Sequence, residues 1–103
     1  MRILLACASG CTTSLMVERM KKFAKPEDKI EAHSVNEVPM IYKNYDVVIL
    51  GPQVRLQLDD IKKACSKGNV PVDIIDITAY GRMDGQRVYK QAADMYKKGA
   101  DMK

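Results

Sequence analysis

Four short apolar segments alternate with four polar stretches of helical period, and this alternation constrains the fold more than any other feature. Strands separated by segments long enough to cross back over a sheet pair in parallel, which makes this an α/β chain. The strands are read over Arg2–Cys7, Ile30–Val35, Asp46–Gly51 and Val70–Asp76. Arg2–Cys7 and Asp46–Gly51 carry no alternating polar face, so they belong in the centre of the sheet, buried on both sides. Ile30–Val35 alternates Glu31 and His33 with apolar neighbours, and the fourth segment contains Pro71 and Asp73, so both suit edges. With right-handed crossovers the economical order is 2-1-3-4, an open four-stranded parallel sheet with helices on both faces.

Between the strands, Met16, Met20 and Phe23 form one apolar stripe on a helix expected to run to about Lys25, where Pro26 stops it. A short helix is expected around Val38–Lys43, with Asn36 as its cap and Pro39 in its first turn. Val54, Leu58, Ile61 and Cys65 form the stripe of a third helix, with Gly68 as its C-terminal stop. Thr78–Gly81 reads as a turn, followed by Asp84 as the N-cap of a last helix whose Val88, Ala92, Met95 and Gly99 share a side. The 103 residues suit one domain spanning 1–103. No apolar run approaches the 18 or so residues of a membrane span, and the stretch after Arg2 is too short for a secretory signal. A soluble, cytoplasmic protein with no direct membrane insertion is the expectation.

Seventeen Lys and Arg against thirteen Asp and Glu give a net charge of +4, which raises nucleic acid as a partner. The lysines cluster where helices are expected to end, and there cations oppose the negative end of the helix dipole. With no Trp, one Phe and five dispersed Tyr, the chain lacks the aromatic platform of a nucleic-acid binder, so none is expected. Three Cys and one His do not make a disulfide framework or a zinc site, so no metal is expected. Cys65 lies on an apolar stripe and reads as an inert packing residue, and His33 as a surface residue.

The chemistry concentrates at the end of the first strand. Cys7, Ala8, Ser9, Gly10, Cys11, Thr12, Thr13 and Ser14 join a buried strand to an amphipathic helix through eight small residues. Small residues let backbone amides approach a guest, and the open N–H groups of a helix start favour an anion such as a phosphoryl group. The same field favours a thiolate, so Cys7 reads as a nucleophile beside an anion cradle. The site falls at the switch point of the sheet, where Gly51, Pro52 and Gln53 are expected to line the opposite wall. Nucleotide and dinucleotide fingerprints are absent. A Cys-x5-Arg phosphatase loop would need Arg where Thr13 stands, which disfavours a hydrolytic low-molecular-weight phosphatase. A thiol redox protein using Cys7 and Cys11 stays open as an alternative, although C-x3-C is not the C-x-x-C spacing of thioredoxin chemistry.

Ile3–Leu15 (ILLACASGCTTSL), Val47–Val54 (VVILGPQV) and Tyr80–Gly85 (YGRMDG) resemble, in order and spacing, the enzyme IIB component of the lactose/cellobiose branch of the phosphoenolpyruvate-dependent sugar phosphotransferase system. The resemblance implies the same four-stranded fold and a phosphocysteine at Cys7, with Ala8 through Ser14 as its phosphate loop. It implies that Cys7 takes a phosphoryl group from a histidine of a IIA protein and delivers it to a sugar held by the membrane component IIC. Pro52, Gln53 and Tyr80 match the family's neighbouring motifs and read as rim or docking positions. No cofactor is implied, and cellobiose or a related β-linked disaccharide is the expected sugar.

Overall fold

A computed structural model of the chain describes residues 1–8 and 11–101, with residues 11–13 and 99–101 described through their backbone alone. Four strands, β1 (Arg2–Cys7), β2 (Lys29–Ser34), β3 (Val47–Leu50) and β4 (Val72–Ile74), form one sheet in the order β2-β1-β3-β4. All three pairings are parallel, with Cys7 opposite Ser34 on one side of β1 and Ala6 opposite Leu50 on the other. The order expected from the burial pattern is therefore the one observed. Ile3 to Cys7 and all of β3 are buried, as strands covered on both faces must be.

Helices α1 (Cys11–Lys21), α2 (Val38–Ile41), α3 (Leu58–Ser66), α4 (Ile77–Gly81) and α5 (Gly85–Asp101) cover the two faces. Side chains alternate along a strand, so β1 sends Ile3 and Leu5 to one core and Leu4 and Ala6 to the other. The first core includes Met16 and Met20 of α1, Ala79 of α4 and Val88, Ala92 and Met95 of α5; the second includes Val38, Tyr42, Ile61 and Cys65. Gly99, expected on the α5 stripe, lies outside the described side chains.

Several local expectations are corrected. The first helix stops at Lys21, not Lys25, and Phe23 is half-exposed rather than part of the stripe. The Asp28 carboxylate takes the Lys25 N–H at 3.1 Å, a local side-chain bond that competes with continuing the helix. Asn36 does not cap α2; a 3-10 turn over Val35–Glu37, capped by Ser34, leads into it. The Ser34 Oγ accepts from the Asn36 N–H, and Glu37 returns a bond to the Ser34 N–H in a capping box. The third helix opens with a 3-10 turn over Pro52–Gln57, so Val54 precedes the α-helical stripe while staying buried. Gly68 follows α3, but the left-handed residue there is Asn69, at φ 56°. Gly68 is needed for space, since a Cβ there would lie 2.8 Å from the Tyr42 ring. Strand β4 is shorter than expected, and Thr78–Gly81 belongs to a helix, not a turn. Asp84 does cap α5, accepting from the Arg87 N–H at 3.2 Å.

One buried electrostatic cluster ties chain segments together. The Asp28 side chain, 4% exposed, accepts from the Met1 α-ammonium at 3.0 Å and from the Tyr89 hydroxyl. Burial alone would push its carboxyl up, but the Tyr89, Met1 and Lys25 donors outweigh that and hold it below the ordinary value.

Candidate functional site

The carboxyl ends of β1, β3 and β4 meet at one edge of the sheet. Cys7 closes β1 on the same side of the strand as Ile3 and Leu5, the face on which α1 packs, and α1 begins four residues later at Cys11. The residue is 4% exposed, while the next residue, Ala8, is exposed, so Cys7 marks the last buried step before the surface. The remainder of the loop reading divides. Ser9 and Gly10 and the side chains of Cys11, Thr12 and Thr13 lie outside the described residues, while Ser14 is exposed on the first turns of α1.

Gly51 ends β3 beside Cys7. Its N–H donates to the Ala6 carbonyl at 2.8 Å, and a Cβ at Gly51 would stand 3.3 Å from the Cys7 Cβ and 2.8 Å from Gln53 Oε1. Glycine is thus required by close approach, and Gln53 folds back over the space that a side chain would fill. The other end of the Gln53 amide donates from Nε2 to the Tyr80 hydroxyl at 2.7 Å. Cys7, Gly51, Gln53 and Tyr80, separated by up to 73 positions in the chain, therefore form one contiguous rim; Pro52, half-buried, is the first residue of its 3-10 turn. Three of the expected positions, Cys7, Gln53 and Tyr80, are brought together.

Tyr80 is held by α4, whose N-cap went unread in the sequence. The Asp76 Oδ1 accepts from the Ala79 N–H at 3.1 Å, and its Oδ2 faces Arg87 Nε at 3.2 Å. The Ala79 N–H is the main cause holding the Asp76 carboxyl below its ordinary value, with the Arg87 guanidinium adding to it. The cue was Asp three residues before an amide it could reach, obscured by Thr78 and Gly81, which resemble turn residues. The elements that carry Gln53 and Tyr80 also carry exposed apolar side chains: Leu56 in the 3-10 turn after β3, 91% exposed, and Ile77 at the start of α4, 66% exposed. By contrast Cys65 is fully buried in the second core, where burial pushes its thiol up to about 11. His33 sits on β2, half-buried, 3.3 Å from the Tyr45 hydroxyl and 3.4 Å from Glu37.

Known proteins match this chain in sequence and in fold. The sequence model described as "PTS system, Lactose/Cellobiose specific IIB subunit" matches residues 2–91. This chain belongs to that family. The oligo-beta-mannoside-specific EIIB component of Bacillus subtilis (strain 168) is 36% identical over 97 residues, covering 91% of this chain and 94% of that protein. The cellobiose-specific EIIB component of Lactococcus lactis subsp. lactis (strain IL1403) is 35% identical over 101 residues, covering 90% and 94%. A galactose-specific EIIB component of Lactococcus lactis subsp. cremoris (strain MG1363) shows the same identity and coverage. Among solved structures, the cellobiose-specific IIB component of Borrelia burgdorferi superposes with a TM-score of 0.77 at 31% identity, covering 96% of this chain and 94% of that one. The lactose-specific IIB domain of Streptococcus pneumoniae reaches 0.82 at 16% identity, covering 93% and 97%, a likeness of fold. As a IIB component, the chain is a phosphotransferase subunit of sugar transport that works with IIA and IIC partners. No helix among the described residues is long and apolar enough to cross a membrane.

Proposed function

We propose that this IIB chain is a cytoplasmic phosphoryl carrier whose acceptor atom is Cys7 Sγ. The observation that carries the reading is the placement of Cys7 at the carboxyl end of a central strand, one loop before the start of α1 and against the Gly51–Gln53 wall of the switch point. In the first transfer the Cys7 thiolate attacks the phosphorus of a phosphohistidine on the IIA protein. The P–N bond breaks as the P–S bond forms, and the electron pair returns to the imidazole. In the second transfer a sugar hydroxyl held by IIC attacks the same phosphorus, the O–P bond forms as the S–P bond breaks, and the departing sulfur keeps the electron pair and takes up the hydroxyl's proton, restoring the Cys7 thiol.

Phosphoryl transfer asks for alignment and for donors around the equatorial oxygens. N–H groups at a helix start are natural donors to a phosphoryl oxygen, which supports reading residues 8–14 as the phosphate loop, with no metal or nucleotide in either step. Because Cys7 is 4% exposed, transfer requires a docked partner that reaches the sulfur. Pro52, Gln53 and Tyr80 form the rim it meets, and Leu56 and Ile77 offer apolar area on the elements that carry Gln53 and Tyr80. Two of the three relatives carry names for β-linked sugars or their oligomers, which supports cellobiose or a related β-linked disaccharide as the sugar.

Incubation with a phosphorylated cognate IIA protein followed by intact-mass spectrometry tests the reading. The expected result is a gain of one phosphoryl group that is absent in Cys7→Ser. No gain with a donor that phosphorylates another IIB protein would overturn it.

A further inference from the structure

Gln91 lies on α5, and its carboxamide makes two backbone contacts at once. Oε1 accepts from the Asp76 N–H at 2.8 Å and Nε2 donates to the Ile74 carbonyl at 2.8 Å. The next amide inward, Ile75 N–H, donates to Leu50 of β3 at 2.9 Å, so the Ile74 carbonyl and the Asp76 N–H face away from the sheet. They are the groups that a fifth strand would use. The Gln91 amide replaces that strand and clamps the segment leading from β4 into α4.

From this clamp an unbroken series of contacts runs to the site. Asp76, held by its N–H on Gln91 and by Arg87 at 3.2 Å, caps α4 through the Ala79 N–H, and its carbonyl accepts from the Tyr80 N–H at 2.8 Å. Tyr80 accepts from Gln53, whose Oε1 lies over Gly51, the residue that packs beside Cys7. We infer that Gln91 is a positioning residue for the Cys7 site: by fixing Asp76 it sets where the Tyr80 hydroxyl stands, and through it the Gln53 amide. The inference rests on the carrier reading for its catalytic consequence and on geometry alone for its structural one.

The two are separable in one experiment on the full chain. The Gln53 side-chain amide is followed by ¹H–¹⁵N correlation spectra, with Tyr80→Phe defining its position once the hydroxyl is gone. Gln91→Leu, which keeps the bulk and removes both bonds, is expected to move the Gln53 amide toward that position. Gln91→Glu retains an acceptor for Asp76 but loses the donor to Ile74, and is expected to move it the same way; it serves as the readout if Gln91→Leu does not fold. Phosphoryl uptake from the IIA donor is expected to fall by about threefold or more in either Gln91 variant, and to change far less when Tyr80 is already Phe. A Gln53 resonance unmoved by both Gln91 variants, or rate losses that simply multiply in the Tyr80→Phe background, overturns the inference. If the unmodified chain takes up no phosphoryl group the carrier reading fails, and the Gln53 resonance still decides whether Gln91 sets the rim.

Discussion

Replacing Gly51 with Ala separates the site from the fold more cleanly than any change at Cys7 itself. The added methyl would meet three atoms: Gln53 Oε1 at 2.8 Å, Cys7 Cβ at 3.3 Å and the Ala6 carbonyl at 3.6 Å. Only the first is far inside contact distance, and it belongs to the end of a flexible side chain. Moving it out by roughly 0.6 Å restores ordinary contact, at the expense of the 2.7 Å bond to Tyr80. That bond is exposed and worth about 1 kcal/mol, so the melting temperature should fall by only about 4–8 °C. The catalytic effect should be larger. The methyl presses on the Cys7 Cβ and dislodges the Gln53 amide from the rim, and misplacement approaching 1 Å can lower a transfer rate by up to about 100-fold. About a tenfold loss of phosphoryl uptake from the IIA donor is expected, measured by rapid quench alongside thermal melting. Uptake within twofold of the parent would show that the space over Gly51 does not shape the rim, and a fall in melting temperature well beyond about 10 °C would show that Gly51 serves the core; either refutes the reasoning.

Gly85→Ala tests the opposite case. Its Cβ would lie 2.5–2.7 Å from the Arg19 carbonyl group and the Met20 nitrogen, all backbone, so α5 would have to retreat from α1. About 3 kcal/mol of destabilisation is expected in urea titrations, whereas Gly81→Ala, in α4 with nothing within 4 Å, should be neutral or stabilise by about 0.5–1 kcal/mol; a loss under about 1 kcal/mol at Gly85 would show that the helices yield. Asp28→Asn removes the buried partner of the Met1 α-ammonium and of Tyr89, and about 2–4 kcal/mol should be lost at pH 7. Because the Asp28 carboxyl is held below its ordinary value of 3.8, that contribution is complete above this pH and is lost as pH falls through the lowered folded-state value. Unfolding curves of the two proteins should therefore converge in acid, and a gap that persists at low pH would place the effect elsewhere. Cys65, fully buried with its thiol pushed up to about 11, should resist iodoacetamide at pH 8 until urea unfolds the chain; peptide mapping that finds it modified in the native state would contradict this.

The parts of the fold that were legible in the sequence are those where a whole segment reports one environment. Val47, Val48, Ile49 and Leu50 leave no polar face, and a strand with none must be central, so burial together with right-handed crossovers led to the order β2-β1-β3-β4. Boundaries were less legible because single long-range side chains set them. Asp28 pulls Lys25 out of helical bonding, and Asp76 turns a stretch that looked like a loop into α4. Gly68 was read as a helix stop from its type, yet its place is fixed by the ring of Tyr42, 26 positions earlier, a contact no local window contains. At the site, Cys7, Gln53 and Tyr80 each stand out in the sequence, but their union does not, since the bond between Gln53 and Tyr80 joins the 3-10 turn after β3 to α4, 27 positions apart.

That union bears on how a buried cysteine can act as a carrier. A thiol on an exposed loop would meet any electrophile and would leave its phosphoryl ester open to water. Cys7 instead ends a central strand with 4% of the residue exposed, fenced on one side by Gly51 and the Gln53 amide. On the carrier reading this makes transfer conditional on docking: the partner has to engage the rim before the sulfur is within reach, while the exposed Leu56 and Ile77 provide apolar area that only a protein surface can cover. On the same reading the Gln53–Tyr80 bond, exposed and worth about 1 kcal/mol, holds the rim in shape where the partner docks, and it can be lost without disturbing either core.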